Sequence, residues 1–285
     1  NIGNKQLVLT LSGRRVNRKM KESACTRTKE DFFQEVYETS FELCEETLKA
    51  ADKHPSHMPV LVESLEDFFY SFALLKICAE NDLIGGRKYF YKATLAREWL
   101  YVEFIKKEYE VRPFSVSTYA YKSLYNAILS GNKERAIHMA QLFGSIKVED
   151  VEEFLPNVLL GNGLKYVILD DKIRALEYVQ KLEDSKGKRG MKQYVEGHAC
   201  AFRGIIERDE EEFNKGLEYM LRHHVQRTKR AGCDLDAFFP YDSIALAMLA
   251  KERGLAITVK HDLFLVEYLE NMDIDYSKLL LFSMD

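Results

Sequence analysis

Seven histidines and five cysteines are the side chains through which this 285-residue chain could hold a metal or attack a substrate. His54 and His57 stand at H-x-x-H spacing, but Pro55 and Ser56 between them imply a turn, not the helical face that holds a zinc pair. His198, Cys200, His223 and His224 could meet only through the fold, and a structural zinc needs four ligands and a catalytic one three. The His198-Ala-Cys200 triplet lacks both the glutamate and the downstream P-C-x-x-C run of a zinc deaminase. Phosphate cradles fare no better. The stretch GNGLKY from Gly161 lacks the third glycine of a dinucleotide fingerprint, and GKRG from Gly187 lacks the hydroxyl residue that follows a P-loop lysine. The expectation is a chain with no catalytic residues, no metal and no cofactor. A dispersed enzyme site at His198, Cys200, His223 or His224 is the competing reading.

Charge offers a different chemistry, that of protein recognition. Glu207, Asp209, Glu210, Glu211 and Glu212 place five acids within six residues at a helix start, where the helix dipole favours negative charge. They read as a solvated helix start or as an acidic patch that steers a basic partner. Residues 148–154, VEDVEEF, could extend such a patch. The net charge of −4 gives no basic footprint for nucleic acid, and the run of Arg14, Arg15, Arg18, Lys19 and Lys21 is short. No apolar run approaches the roughly 18 residues of a membrane span, and the N-terminus has no signal-peptide core. Cys25, Cys44, Cys78, Cys200 and Cys233 are scattered and odd in number, as in a reducing compartment. A cytoplasmic protein is expected.

The elements that must position these groups are helices. Thr28 and Asp31 form the start of a capping pattern, after which Phe33, Tyr37, Cys44 and Leu48 recur on one face beside Phe32, Val36 and Leu43. A second helix follows Pro59 and stops near Asn81 and Asp82. A third runs through Tyr89, Ala93, Ala96, Leu100 and Phe104. From about residue 124 a helix, a turn and a second helix recur, and Ala136, Ala175 and Gly216 stand at matching points 39 and 41 positions apart. Residues 183–190, EDSKGKRG, read as a loop between helices. Leu7–Leu11 and Leu255–Val259 are strand-like and could pair as a small ribbon. The apolar run Ile244–Ala250, rich in alanine and ended by Gly254, predicts a helix buried on all sides.

These readings give an all-α fold in a single domain over 1–285. It comprises an N-terminal segment (1–27), a long-helix region (28–130) and an array of stacked αα-hairpins with a buried C-terminal helix (131–285).

The order of features from Phe238, an alanine-rich helix ending LAKERGL, an extended AITV and an acidic-apolar DLFLVEYL, resembles the C-terminal signature of the immunity 49 family of bacterial polymorphic toxin systems. The hairpin LYNAILSGNKERAIHMAQLFG, 124–144, looks like that family's central one. The chain departs from the pattern in lacking a proline after Tyr268-Leu269. The resemblance implies a closing helix there. It also implies a cytosolic, non-enzymatic antidote that binds a cognate toxin domain, and it carries over no functional residues. The alternative implied by the repeat is an adaptor that holds a peptide or protein in a concave groove.

Overall fold

The computed structural model describes residues 28–145, 155–185, 192–231 and 234–284. Thr28 closes the expected capping box: its hydroxyl accepts from the Asp31 amide at 3.1 Å, and the Asp31 carboxylate accepts from the Thr28 amide at 3.3 Å. From there α1 runs over Lys29–Lys53, α2 over Met58–Cys78 and α3 over Leu83–Lys106. Then come α4 (Lys122–Leu129), α5 (Lys133–Leu142), α6 (Leu155–Ile168), α7 (Lys172–Asp184), α8 (Lys192–Glu207), α9 (Glu210–Ala231) and α10 (Tyr241–Glu252). Among the described residues no strand occurs, as the all-α expectation required. Leu255–Val259 is irregular, so the ribbon is not formed from that side, and its partner Leu7–Leu11 lies outside the described residues. Also outside are the basic run 14–21, Cys25, Cys233, the acidic extension 148–154 and most of the 183–190 loop.

Consecutive helices pair: α2 with α3, α4 with α5, α6 with α7, and α8 with α9. One turn design joins every pair. A residue in the left-handed region is followed by an Asn or Asp whose side chain accepts from the amide three residues on. The instances are Asn81-Asp82, Gly131-Asn132, Asp170-Asp171 and Arg208-Asp209. The left-handed residue reverses the chain while satisfying carbonyls of the ending helix, and the Asx side chain caps the next one. Measured by these caps, Asn132, Asp171 and Asp209 follow in steps of 39 and 38. The sequence spacing of 39 and 41 picked Gly216 for the third unit, which lies one helical turn beyond the equivalent position, held by Phe213. Arg208 bears the left-handed strain without a glycine's freedom, at φ 58°. Arg208→Gly is therefore expected to leave stability unchanged or raise it by up to about 1 kcal/mol in urea denaturation. A clear loss would contradict the conformation.

The buried apolar side chains form one continuous cluster from Phe32 to Leu269. Near its centre, α10 packs on α4 and α9 and on the short turn Val266–Leu269. Ile244, Ala245, Leu246, Ala247 and Ala250 are all fully buried, as the apolar run predicted. Gly254 takes φ 84° just past the helix end, and the Leu255 amide returns to the Ala250 carbonyl at 3.0 Å. Ala247→Leu is expected to cost about 1–3 kcal/mol by overpacking; an unchanged melting temperature would refute the burial.

Beyond Gly254 no α-helix follows among the described residues, only two 3-10 turns. This corrects the closing helix implied for DLFLVEYL, whose polar ends and lack of a capping residue leave a single turn at Val266–Leu269. The segment instead lies as a strap along the bundle. Arg87 of α3 donates to the Tyr268 and Glu270 carbonyls, the Tyr268 hydroxyl to the Leu129 carbonyl, and the Tyr276 hydroxyl to the Ser130 carbonyl. Farther along, the buried Lys92 amine donates to Ser283.

Candidate functional site

The residues with the most reactive chemistry are locked into structure. His198, on α8, is fully buried. Its Nδ1 lies 2.8 Å from the Tyr194 carbonyl and its Nε2 3.0 Å from the Tyr125 hydroxyl. A carbonyl can only accept, so the proton sits on Nδ1 and Nε2 accepts from Tyr125. The Asp242 carboxylate stands 4.0 Å from Nε2. Burial pushes the hydroxyls of Tyr125, Tyr194 and Tyr241 well above the ordinary range, so they remain donors. His223 lies against the Tyr194 ring, 4.9 Å between centroids, and His224 reaches the Ala237 carbonyl at 3.3 Å. Cys200 belongs to a different neighbourhood. Burial and the nearby Glu212 push its thiol up to about 12, so it is no nucleophile at neutral pH. His54 and His57 are exposed at the α1–α2 turn, rings 5.9 Å apart. Among the described residues no group of three or more His, Cys, Asp or Glu side chains is placed to hold a metal.

The histidines set a pH limit on the fold. Burial lowers His198 and His224 below the ordinary imidazole value, against the pull of Asp242. A depressed folded-state value means the unfolded chain binds the proton first. The stability is therefore complete above the unfolded value of about 6.5 and is lost as pH falls through the folded values. Urea denaturation at pH 7 and pH 5 should show lower stability at pH 5, and His198→Gln should shrink the difference. An equal difference in that variant would remove His198 as the cause.

The five acids gather at the α8–α9 turn, and Glu207, Asp209, Glu210 and Glu211 are exposed. Three of the five have structural work. Asp209 caps α9 through the Glu212 amide at 3.0 Å, Glu210 accepts from the Ala256 amide at 3.0 Å, and Glu212 pairs with Lys215 at 2.9 Å. The turn flanks the start of the strap, and Arg208 is close enough to Arg253 to repel it.

Arg253 in turn lies on the rim of a groove of about 850 Å³. It is built from the α4–α5 turn, the α6–α7 turn, the end of α10 and the strap at Leu269 and Asn271. Its floor is apolar: Ile128, Ala136, Leu249 and Leu269 are buried, with Ile137, Leu169 and Met248 half-buried along the sides. Its rim is charged. Lys133 pairs with Glu252, Lys251 with Glu270 at 2.8 Å, and Arg253 with Asp170 at 3.0 Å. Such exposed pairs contribute about 0–1 kcal/mol each to the fold. An apolar floor inside a polar rim is the anatomy of a site for another molecule.

The chain segment that contributes the acidic turn and one wall of this groove is similar to a known family. Residues 170–264 match the immunity protein 49 family. No curated protein and no solved structure matches the chain. The immunity protein 49 match bears out the resemblance drawn from the C-terminal third as far as Phe264, whereas the hairpin 124–144 lies outside it. The match opens on Asp170, the left-handed residue of the α6–α7 turn, and contains α7 to α10. It thus carries the acidic turn, Asp170 and the α10 wall of the groove. Arg87 and the α4–α5 wall come from outside it. No helix of the described residues is long and apolar enough to cross a membrane.

Sequence reasoning missed Arg87 and the strap. The stretch GGRKYF carries no motif, and Tyr268, whose carbonyl Arg87 meets, is 181 residues away. The one legible signal was the Gly131-Asn132 turn, which forms part of the groove wall.

Proposed function

We propose that this chain is a non-enzymatic immunity protein of the cytoplasm that binds a cognate bacterial toxin domain and neutralises it by covering a surface the toxin needs. The observation that carries the reading is the immunity protein 49 match over 170–264, because that segment supplies both the acidic turn and one wall of the groove. The groove takes the centre of the contact and Glu207, Asp209, Glu210, Glu211 and Glu212 its edge, where charge governs encounter rate and specificity. The locked state of His198 and Cys200 fits a binder better than a catalyst. The continuous core and the strap support treating the chain as one unit in this role. Co-expression with the toxin encoded by the neighbouring gene tests the proposal. Survival of the producing cells and co-elution of the two chains are expected; neither protection nor a complex would discard it.

The repeated hairpin turns favour a second reading, an adaptor that holds a peptide or protein against the array. Binding of diverse peptides with no toxin partner would favour it instead.

A further inference from the structure

Arg87 differs from the other groove cations. Lys133, Lys251 and Arg253 each have a carboxylate partner, whereas Arg87 has none among the described residues. It is 3% exposed. Its Nη2 donates to two neutral carbonyls, Tyr268 at 2.5 Å and Glu270 at 2.7 Å, and the guanidinium stands 5.0 Å from the centroid of the Tyr268 ring. Its Nε is buried and donates to nothing. Its Nη1 faces the α4–α5 turn, where a Cβ added to Gly131 would come within 2.7 Å of it. That residue has φ 76°, so glycine both permits the turn and leaves beside Nη1 the space that a side chain would fill.

A buried cation without a counter-charge is costly, and two carbonyl dipoles and a ring offset only part of that cost. A carboxylate is the complementary group, because it binds guanidinium donors through charge-assisted hydrogen bonds. The groove as a whole agrees. Its lining and rim carry Arg87, Lys133, Lys251 and Arg253 against Asp170, Glu252 and Glu270, so one cation is left over, in a chain whose net charge is −4.

We propose that the groove seats an acidic side chain, Asp or Glu, presented on a protruding loop of the protein partner, with its carboxylate against Arg87 and its apolar neighbours on the floor. This rests on the toxin-binding reading and names the chemistry the partner must bring. It reverses the polarity suggested by the acidic turn: at the groove, the partner contributes the negative charge.

Two experiments separate this site from that reading. In the first, the unaltered chain with 15N-labelled arginine is titrated with the blocked peptide Ac-Ala-Val-Glu-Val-Ala-amide and with its Gln counterpart at matched ionic strength. The Arg87 Nε–H resonance, assigned through Arg87→Lys or by through-bond correlation, is expected to shift saturably with the Glu peptide alone. Equal shifts with both peptides, or none with either, would overturn the site. In the second, a toxin complex is formed with Arg87→Lys, whose melting temperature is measured alongside. The expected result is about tenfold weaker binding with the fold retained, because lysine keeps the charge and loses the planar fork. Undiminished binding would overturn the Arg87 site and leave toxin binding standing. A saturable Glu-peptide shift in a chain that binds no toxin would uphold the site and remove the toxin.

Discussion

Replacing Gly216 with alanine is expected to destabilise the protein by about 2–3 kcal/mol, although the same change in an exposed helix stabilises by about 1 kcal/mol. The reversal comes from the α8–α9 interface. A Cβ at residue 216 would lie 2.4 Å from the Ala201 nitrogen and 2.7 Å from the Gly197 carbonyl oxygen. Both are backbone atoms, so no side chain can swing aside, and the two helices must separate along the contact. The improved helix propensity is the smaller effect. Gly216→Leu should abolish the cooperative transition. Denaturant unfolding of the alanine variant decides between the two terms: a gain in stability would mean that the helices are farther apart than described.

The second large effect belongs to Glu66. Its carboxylate, on α2, meets the Arg97 guanidinium of α3, and both side chains are buried or nearly so. Arg97 also donates to the Ser115 carbonyl. Burial pushes the Glu66 carboxyl above the usual range, and Arg97 pulls against that shift. Glu66→Leu strands a buried guanidinium and is expected to cost about 3–5 kcal/mol, the lower end applying because Asp67 also attracts Arg97. The double variant Glu66→Leu with Arg97→Leu should recover at least half of that loss, since a buried ion pair replaced by apolar side chains is often neutral. If the double variant instead loses as much as both singles together, the pair is not coupled.

The sequence carried the helices well because their signals are local. Thr28 with Asp31 set the first cap, and the alanine-rich run of α10 with Gly254 after it set its burial and its end. The hairpin repeat was half legible. Gly131-Asn132 announces a turn by composition, but Arg208-Asp209 does the same job inside an acidic run, where charge disguised the turn. Asn81, Gly131 and Asp170 are residue types that enter the left-handed region readily, whereas Arg208 is not, so at that one turn the signal lies in the geometry and not in the composition. The groove was the least legible part. Arg87 draws its meaning from a carbonyl on a strap 181 residues away, and no local pattern encodes such a pairing.

The strap also has a consequence for how the molecule is made. Arg87 and Lys92 leave the ribosome long before Tyr268 and Ser283, the residues that supply their acceptors. At roughly 5–20 residues per second, the interval across 181 residues is on the order of 10–35 s. Through that interval the nascent α2–α3 hairpin holds two cations whose acceptors on the strap are not yet made. These hydrogen bonds therefore close only once translation has passed the strap, which makes them among the last native contacts available to the folding chain.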